Sequence, residues 1–318
     1  MTLVTVFGGS GLIGRHTVRA LARAGYRVRV AVRAPNLAMY LLPAGNVGQI
    51  QIVKCNVRNA EQVAAALHGA DAAINLVGVL YSRGSQSFQA LHADAPATIA
   101  KAAKDAGVET LVHISTMGIS TESESIYSRS KAQGDEAVRA EFPQATLVKP
   151  SIIFGPEDNF FNKFANLARF LPALPLIGGG YTKFQPVFVG DVAAAIVKCV
   201  SDPATRGKTY ELGGPNVYSF KEMLEIILRV TDRKRFLIPI PFWLATIQAF
   251  FLQFLPEPLL TPDQVRFLKT GNVVSPDALT FKDLGIAPDS LEAVLPTYLW
   301  RFRARGQYEE TGRVSAAP

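Results

Sequence analysis

Tyr127 and Lys131 stand four residues apart in Tyr127-Ser128-Arg129-Ser130-Lys131, a spacing that places both side chains on one face of a helix. A free phenol, with a pKa of about 10, is a poor acid or base at neutral pH. A lysine ammonium and a nicotinamide ribose beside it would favour the phenolate and make proton exchange with a carbonyl or an alcohol feasible. Ser115, with Thr116 next to it, ends a β-branched run and offers a hydroxyl to hold a substrate oxygen. Such a trio suits hydride transfer between a nicotinamide and a carbonyl carbon. Tyr-x-x-x-Lys alone is a common surface pattern, so its weight depends on the chain around it.

Ahead of it lies Gly8-Gly9-Ser10-Gly11-Leu12-Ile13-Gly14-Arg15, which follows directly on the apolar run Leu3–Phe7. Gly8 permits a sharp turn out of a strand, Gly11 lets a pyrophosphate approach the backbone, and Gly14 lets a helix pack close. The helix N-terminus at Leu12 and Ile13 then offers unpaired N–H groups to phosphates. Between a strand and an amphipathic helix, this triplet reads as a dinucleotide loop. The second strand ends Val30-Ala31-Val32-Arg33-Ala34-Pro35, without a carboxylate to hold a ribose 2′-hydroxyl. Arg33, helped by Arg15, is placed to pair with a 2′-phosphate, which predicts NADP(H) over NAD(H). The competing reading of Arg33 is a solvated strand end. Arg27 and Arg29 alternate with core-facing Val28 and Val30 and are expected at solvent or a helix edge.

Further candidate cofactor contacts sit at later strand ends. Asn56, beside Val57, either reads the adenine edge or makes a turn. Leu76-Val77-Gly78 brings backbone near the riboses, where Gly78 leaves room. Pro150 would shape the wall beside the nicotinamide.

These groups need a scaffold that gathers strand ends. Strand candidates are Leu3–Phe7, Arg27–Val32, Ile50–Cys55, Ala72–Leu76, Thr110–Ser115 and Thr146–Lys149, with helical stretches near 12–24, 60–68, 86–106 and 127–141. That rhythm predicts successive βαβ units and a doubly wound, Rossmann-type parallel sheet, α/β in class, with ligands at the carboxyl ends of the strands. After Pro150, prolines and glycines cluster and the alternation stops. Residues 1–150 plus about 186–201, a piece expected to return to the sheet, form the predicted nucleotide domain. Residues 151–185 and 202–305 form a smaller, discontinuous second lobe with helices near 219–230, 242–255 and 262–269. Residues 306–318 read as a flexible tail.

The chain has 318 residues, 48% hydrophobic and 19% charged, which excludes disorder as its main state. Its two cysteines, Cys55 and Cys199, exclude a disulfide scaffold and read as buried thiols in a reducing compartment. With 33 Lys+Arg against 26 Asp+Glu, a net charge of +7 favours anionic partners. The basic residues are scattered without a nucleic-acid-binding pattern, so no nucleic-acid partner is expected. His16, His68, His92 and His113 share no ligand spacing, and no metal is expected. Asp191 is expected to cap the helix after it. The opening Met1-Thr2-Leu3-Val4-Thr5-Val6 predicts no signal peptide or presequence.

The segment 236–256 carries no charged residue. Pro239 and Pro241 break it, and the remaining run 242–255 reaches about 21 Å, short of the about 30 Å hydrocarbon layer. It holds more large apolar side chains than one core-facing stripe needs. The region 236–260 is therefore expected to meet a partner or a bilayer surface, with Arg233-Lys234-Arg235 for lipid phosphates. A helix sandwiched inside the second lobe is the alternative.

Taken with His113-Ile114-Ser115-Thr116, Val148–Asp158 and Val187-Phe188-Val189-Gly190-Asp191-Val192-Ala193, the glycine loop and Tyr/Lys pair resemble the extended short-chain dehydrogenase/reductases over almost the whole chain. Within them the chain is most similar to the NADPH-binding accessory subunits of respiratory complex I. That resemblance implies a tightly held NADPH without established turnover, and complex I subunits as partners near the quinone pocket. It also implies a peripheral place on the cytoplasmic face of the inner membrane, or the matrix side in a mitochondrion. Phe7 stands where many relatives carry Thr, and Cys55-Asn56 replaces the usual Gly-Asp. A free-standing NADP(H)-dependent reductase or epimerase acting on an apolar carbonyl, such as a quinone or isoprenoid intermediate, fits many of the same residues.

Overall fold

A computed structural model describes residues 2–256, 258–304 and 306; the tail expected at 306–318 lies, Gly306 apart, outside the described residues. Six strands in the first half, β1 (Leu3–Phe7), β2 (Arg27–Val32), β3 (Ile50–Lys54), β4 (Ala72–Asn75), β5 (Thr110–Ile114) and β6 (Thr146–Pro150), alternate with α1 (Leu12–Arg23), α2 (Ala60–Leu67), α3 (Ala95–Asp105) and α4 (Ile126–Glu141). All pairings in the central sheet are parallel. Its order is Thr209–Leu212, β6, β5, β4, β1, β2, β3. The order reverses between β1 and β4, and the chain enters α1 there. Open α/β sheets bind ligands at such a switch point.

Both faces of the sheet are covered, as buried parallel strands require. Phe7, Ala31, Leu111 and Leu147 pack with Val63 of α2, Ile99 of α3 and Val138 of α4. Val4, Val6, Val28 and Val30 alternate with them and are fully buried, as is Val18 of α1. Arg29 reaches a helix edge, donating to the carbonyls of Ala66 (2.7 Å) and His68 (2.8 Å) at the end of α2, where a cation meets the negative helix terminus. Cys55 and Cys199 are buried, and burial raises their thiols to about 11 and about 12.

The stretch Pro186–Ser201 does not rejoin the sheet as a strand. Val187–Phe188 pairs with Ile153–Phe154 in a small parallel ribbon, and Val189–Ser201 is a helix packed beside α1. Asp191 lies within the first turn of that helix, where its carboxylate complements the helix dipole. The strand that completes the sheet is Thr209–Leu212, paired with β6 from Thr209–Leu147 to Leu212–Pro150. The carbonyl of Leu279 accepts from Glu211 N–H at 2.8 Å, and Glu211 Oε2 accepts from Ser275 N–H at 2.7 Å. The first compact unit therefore comprises Met1–Ser151, Val189–Gly213 and Val274–Ala287.

The second unit comprises Ile152–Phe188, Gly214–Val273 and Pro288–Pro318. It is held by aromatic and aliphatic side chains, among them Phe161 of the helix Phe161–Phe170 and Phe220 and Met223 of the helix Phe220–Val230, packed with Phe154 and Leu299. Asp158 organises it from within. Its carboxylate accepts from Phe161 N–H (2.6 Å), Phe160 N–H (2.9 Å) and Tyr298 Oη (2.7 Å). Ala173–Ile177 and Phe236–Ile240 form a parallel two-stranded ribbon that periodicity does not reveal, since Pro175 and Pro239 sit within it.

Candidate functional site

The glycine loop leaves β1 with Gly8 at φ +79°, a conformation that L side chains avoid. A Cβ on Gly14 would run into the carbonyl oxygen of Gly8, and one on Gly9 would come 2.8 Å from Val30 Cγ1. Those two glycines are required by the protein's own packing. Gly11 is different: a Cβ there would meet only Gly8 O, at an ordinary 3.4 Å. α1 begins after Gly11 with no side-chain cap and no acidic residue in its first turn. The positive end of this helix is not offset by a carboxylate of its own first turn.

Two arginines flank the loop. Arg15 Nε and Nη2 lie 3.4 Å and 3.5 Å from the carbonyls of Gly11 and Ser10, and its guanidinium sits 5.2 Å over the ring of Tyr40. The Tyr40 hydroxyl donates to Ser10 O at 2.8 Å. Arg33 is exposed at the end of β2. Asn56 acts as a turn residue: its Oδ1 accepts from Arg58 N–H at 3.2 Å. The Val57 side chain is in the core beneath α2.

On α4, Tyr127, Lys131 and Asp135 recur every four residues and share a face. Lys131 is buried and its Nζ donates to Ile114 O at 3.2 Å. A Cβ on Gly78 would lie 3.6 Å from that Nζ, so the backbone after Leu76 and Val77 approaches the Tyr/Lys face without touching it. Ser115 is buried at the end of β5, and among the described residues its Oγ has no hydrogen-bond partner. Thr116 is engaged elsewhere, donating to Pro150 O at 3.3 Å.

The electrostatics of the protein alone do not favour a phenolate. Burial, with the Asp135 carboxylate, pushes the Tyr127 phenol up to about 12, and burial brings Lys131 down to about 8. Desolvation and the Asp135 carboxylate act in the same direction, so the protein alone holds Tyr127 as a phenol at neutral pH.

Two histidines, whose sequence spacing carries no signal, brace this site. His92 Nε2 accepts from Val79 N–H at 3.0 Å. Its Nδ1 therefore carries the proton and donates to Ser130 Oγ at 3.2 Å, which donates to Tyr127 O at 2.9 Å. His113 Nδ1 accepts from Asn75 Nδ2 at 3.1 Å, and Asn75 Oδ1 accepts from Val77 N–H at 3.1 Å. His113 Nε2 faces Asp135 Oδ1 at 3.5 Å. Burial holds both imidazoles neutral, His92 down to about 3. Burial alone would raise Asp135; hydrogen bonding from His113 and the Lys149 charge outweigh it and hold the carboxyl near 2.

A profile described as the NAD dependent epimerase/dehydratase family matches residues 4–213. The chain belongs to that family. It is 35% identical over 316 residues to the NADH dehydrogenase [ubiquinone] 1 alpha subcomplex subunit 9 of Arabidopsis thaliana, covering 96% of this chain and 79% of the plant protein. Its identity to the subunit of the same name from Mus musculus is 36%, over 91% of this chain and 78% of the mouse protein. Among solved structures, a dTDP-glucose 4,6-dehydratase from Streptomyces venezuelae with NAD bound superposes with a TM-score of 0.71 at 21% identity, covering 97% of this chain and 99% of that one. This last likeness establishes the Rossmann-type fold.

The match to the epimerase/dehydratase family ends before a second feature. In the helix Phe242–Leu252 only Ala245 and Ala249 are buried. Trp243 is 66% exposed and Phe251 68%, and Ile247 and Phe250 are half exposed. Phe236 and Phe254 extend the same apolar character. A sandwiched helix does not describe these exposures. Of the expected basic triplet, Arg233 and Arg235 are occupied, donating to Phe302 O (3.0 Å) and Ala168 O (2.8 Å), while Lys234 is exposed. Among the described residues no helix is long and apolar enough to cross a membrane.

Proposed function

We propose that this chain is an NADP(H)-binding accessory subunit of a respiratory NADH:quinone oxidoreductase, holding its nucleotide in a structural or regulatory role. The observation that carries the reading is the likeness to complex I subunits along 96% of the chain. The residues present fit a dinucleotide. The open space at Gly11, the uncapped start of α1 and the unpartnered Ser115 Oγ each lack a partner that it would supply. Gly8, Gly9, Ser10, Gly11, Leu12, Ile13 and Gly14 would hold the pyrophosphate, with Arg15 and Arg33 on the 2′-phosphate. Asn56 and the backbone of Val57 would face the adenine. Leu76, Val77, Gly78, Ser115, Tyr127, Lys131 and Pro150 would enclose the nicotinamide half.

The bound nucleotide would supply a hydride. The chain's own residues do less for chemistry than for binding. Lys131 donates to ribose hydroxyls, while Tyr127, held as a phenol, is a hydrogen-bond donor rather than a base. The exposed apolar surface around 236–260, with Lys234 at its edge, is read as the contact to neighbouring subunits and the lipid surface on the cytoplasmic or matrix side.

Purification from native membranes tests this reading. We expect co-purification with the large complex and NADPH that survives gel filtration; a free monomer without nucleotide would overturn it. A second reading, an NADP(H)-dependent oxidoreductase for an apolar carbonyl, draws on the unpartnered Ser115 hydroxyl, one residue along from the Ile114 carbonyl that holds Lys131. It requires NADPH oxidation with a quinone or related carbonyl, lost in Tyr127→Phe.

A further inference from the structure

A helical segment with π-type bonding, Gln89–Asp94, runs into α3, and single π turns accumulate at functional sites. His92 lies in it, 1% exposed, and it is held on every side. Its ring stacks on Phe88 with centroids 5.3 Å apart and meets the Tyr127 ring edge-on at 5.2 Å. One ring nitrogen takes the Val79 N–H and the other gives its proton to Ser130 on α4. Its own carbonyl approaches α4 so closely that any Cβ at Gly134 would collide with it. Gly134 sits inside a helix, where glycine is otherwise unfavourable, so close approach accounts for the residue type. His92 thus fixes the separation between the Val77–Val79 backbone and the Tyr127–Lys131 face. Gly78 faces both walls: a Cβ there would lie 3.6 Å from Lys131 Nζ and 3.8 Å from His92 Nε2.

We infer that His92 is a positioning residue for the nicotinamide half of the dinucleotide, setting the width of the gap between the Val77–Val79 backbone and the Tyr127–Lys131 face. The inference rests on the dinucleotide reading above. It assigns His92 no contact with the reacting atoms. Two nitrogens bonded to two different elements make the imidazole a spacer of fixed length, and its proton sits on Nδ1 because Val79 can only donate.

The test uses the full chain and two probes, NADPH and its adenosine fragment 2′,5′-ADP, with NADH and 5′-ADP as a parallel pair independent of the 2′-phosphate. His92→Phe keeps an aromatic ring against Phe88 and Tyr127 but loses both hydrogen bonds. We expect it to bind the dinucleotide about tenfold more weakly by calorimetry, while fragment affinity stays within about twofold. His92→Gln, which offers one acceptor and one donor, should recover most of the loss. Ser130→Ala, which removes the Nδ1 bond and the Ser130 bond to the Tyr127 carbonyl but keeps the Val79 bond, should fall between. Equal losses for dinucleotide and fragment in His92→Phe and Ser130→Ala would reduce His92 to a structural residue and overturn the inference, as would unchanged dinucleotide binding. A wild-type chain that binds neither dinucleotide would overturn the nucleotide reading itself, and this inference with it.

Discussion

Lys149 Nζ stands 2.8 Å from Asp135 Oδ2, and this ion pair ties β6 to the helix that carries Tyr127 and Lys131. Asp135 is nearly buried, so removing its charge strands the lysine rather than neutralising a pair. We expect Asp135→Asn to cost about 3 kcal/mol of unfolding free energy in denaturant titrations. The folded-state pKa of Asp135 is depressed to about 2 from 3.8. Its stabilisation is therefore complete above the unfolded value and is lost as pH falls through the folded one. The variant should flatten the acid limb of the stability profile between those values; an unchanged limb would refute this role.

At Lys131 the fold disfavours the charged form instead. Burial lowers it to about 8 from 10.5, so the folded protein releases this proton before the unfolded chain does. Stability contributed at this site rises from about pH 8 to the unfolded value. On the nucleotide reading proposed above, the charged form contacts the cofactor, so binding should weaken above about pH 8. Lys131→Met should bind NADPH weakly at every pH and lose that dependence, which calorimetry at pH 7 and pH 9 would read.

The glycines of the first loop separate folding from binding. Gly14→Ala forces a Cβ into backbone at Gly8 and should lower the melting temperature sharply. Gly11→Ala meets only an ordinary contact. It should melt within a few degrees of wild type yet lose about tenfold or more in NADPH affinity. Equal melting losses in both variants would contradict the distinction.

Arg33 is an exposed cation just beyond the end of β2. Arg33→Ala should weaken NADPH by about tenfold and leave NADH nearly unchanged, because only the charge-assisted contact to the 2′-phosphate is lost. Parallel titrations with the two nucleotides decide it. A loss common to both would assign Arg33 to something other than the phosphate.

The wild-type chain should sediment with anionic vesicles at low salt, less so after Trp243→Ser with Phe251→Ser. Both side chains are about two-thirds exposed, so the double variant removes apolar contact with little loss of core. A wild type that stays wholly in the supernatant rules out the lipid contact and leaves protein neighbours to cover the patch.

The sequence pattern makes some of this architecture legible and hides the rest for physical reasons. β-branched runs mark β1 to β6 because strands buried on both faces must be apolar throughout. The glycine triplet and the Tyr-x-x-x-Lys pair are legible because each functional atom is tied to local backbone geometry. The closing strand Thr209–Leu212 is not, since Thr-Tyr-Glu-Leu is short and half polar, and its partner β6 lies far back along the chain. His92, His113 and Asp135 meet only after folding, through contacts spanning 38 residues in the case of His92 with Ser130. The one available hint was Gly134, an unexplained glycine within a helix.

Because Thr209–Leu212 and Val274–Ala287 both belong to the first unit, that unit is finished only when nearly all of the chain has been made. On a ribosome, which releases the N-terminal half first, β6 emerges as an open edge, able to pair with foreign strands. Roughly sixty more residues must be synthesised before its own neighbour arrives. A chaperone, or slow engagement of the nascent chain, has its greatest value in that interval, and truncations that stop short of residue 213 should aggregate rather than yield a soluble nucleotide-binding half.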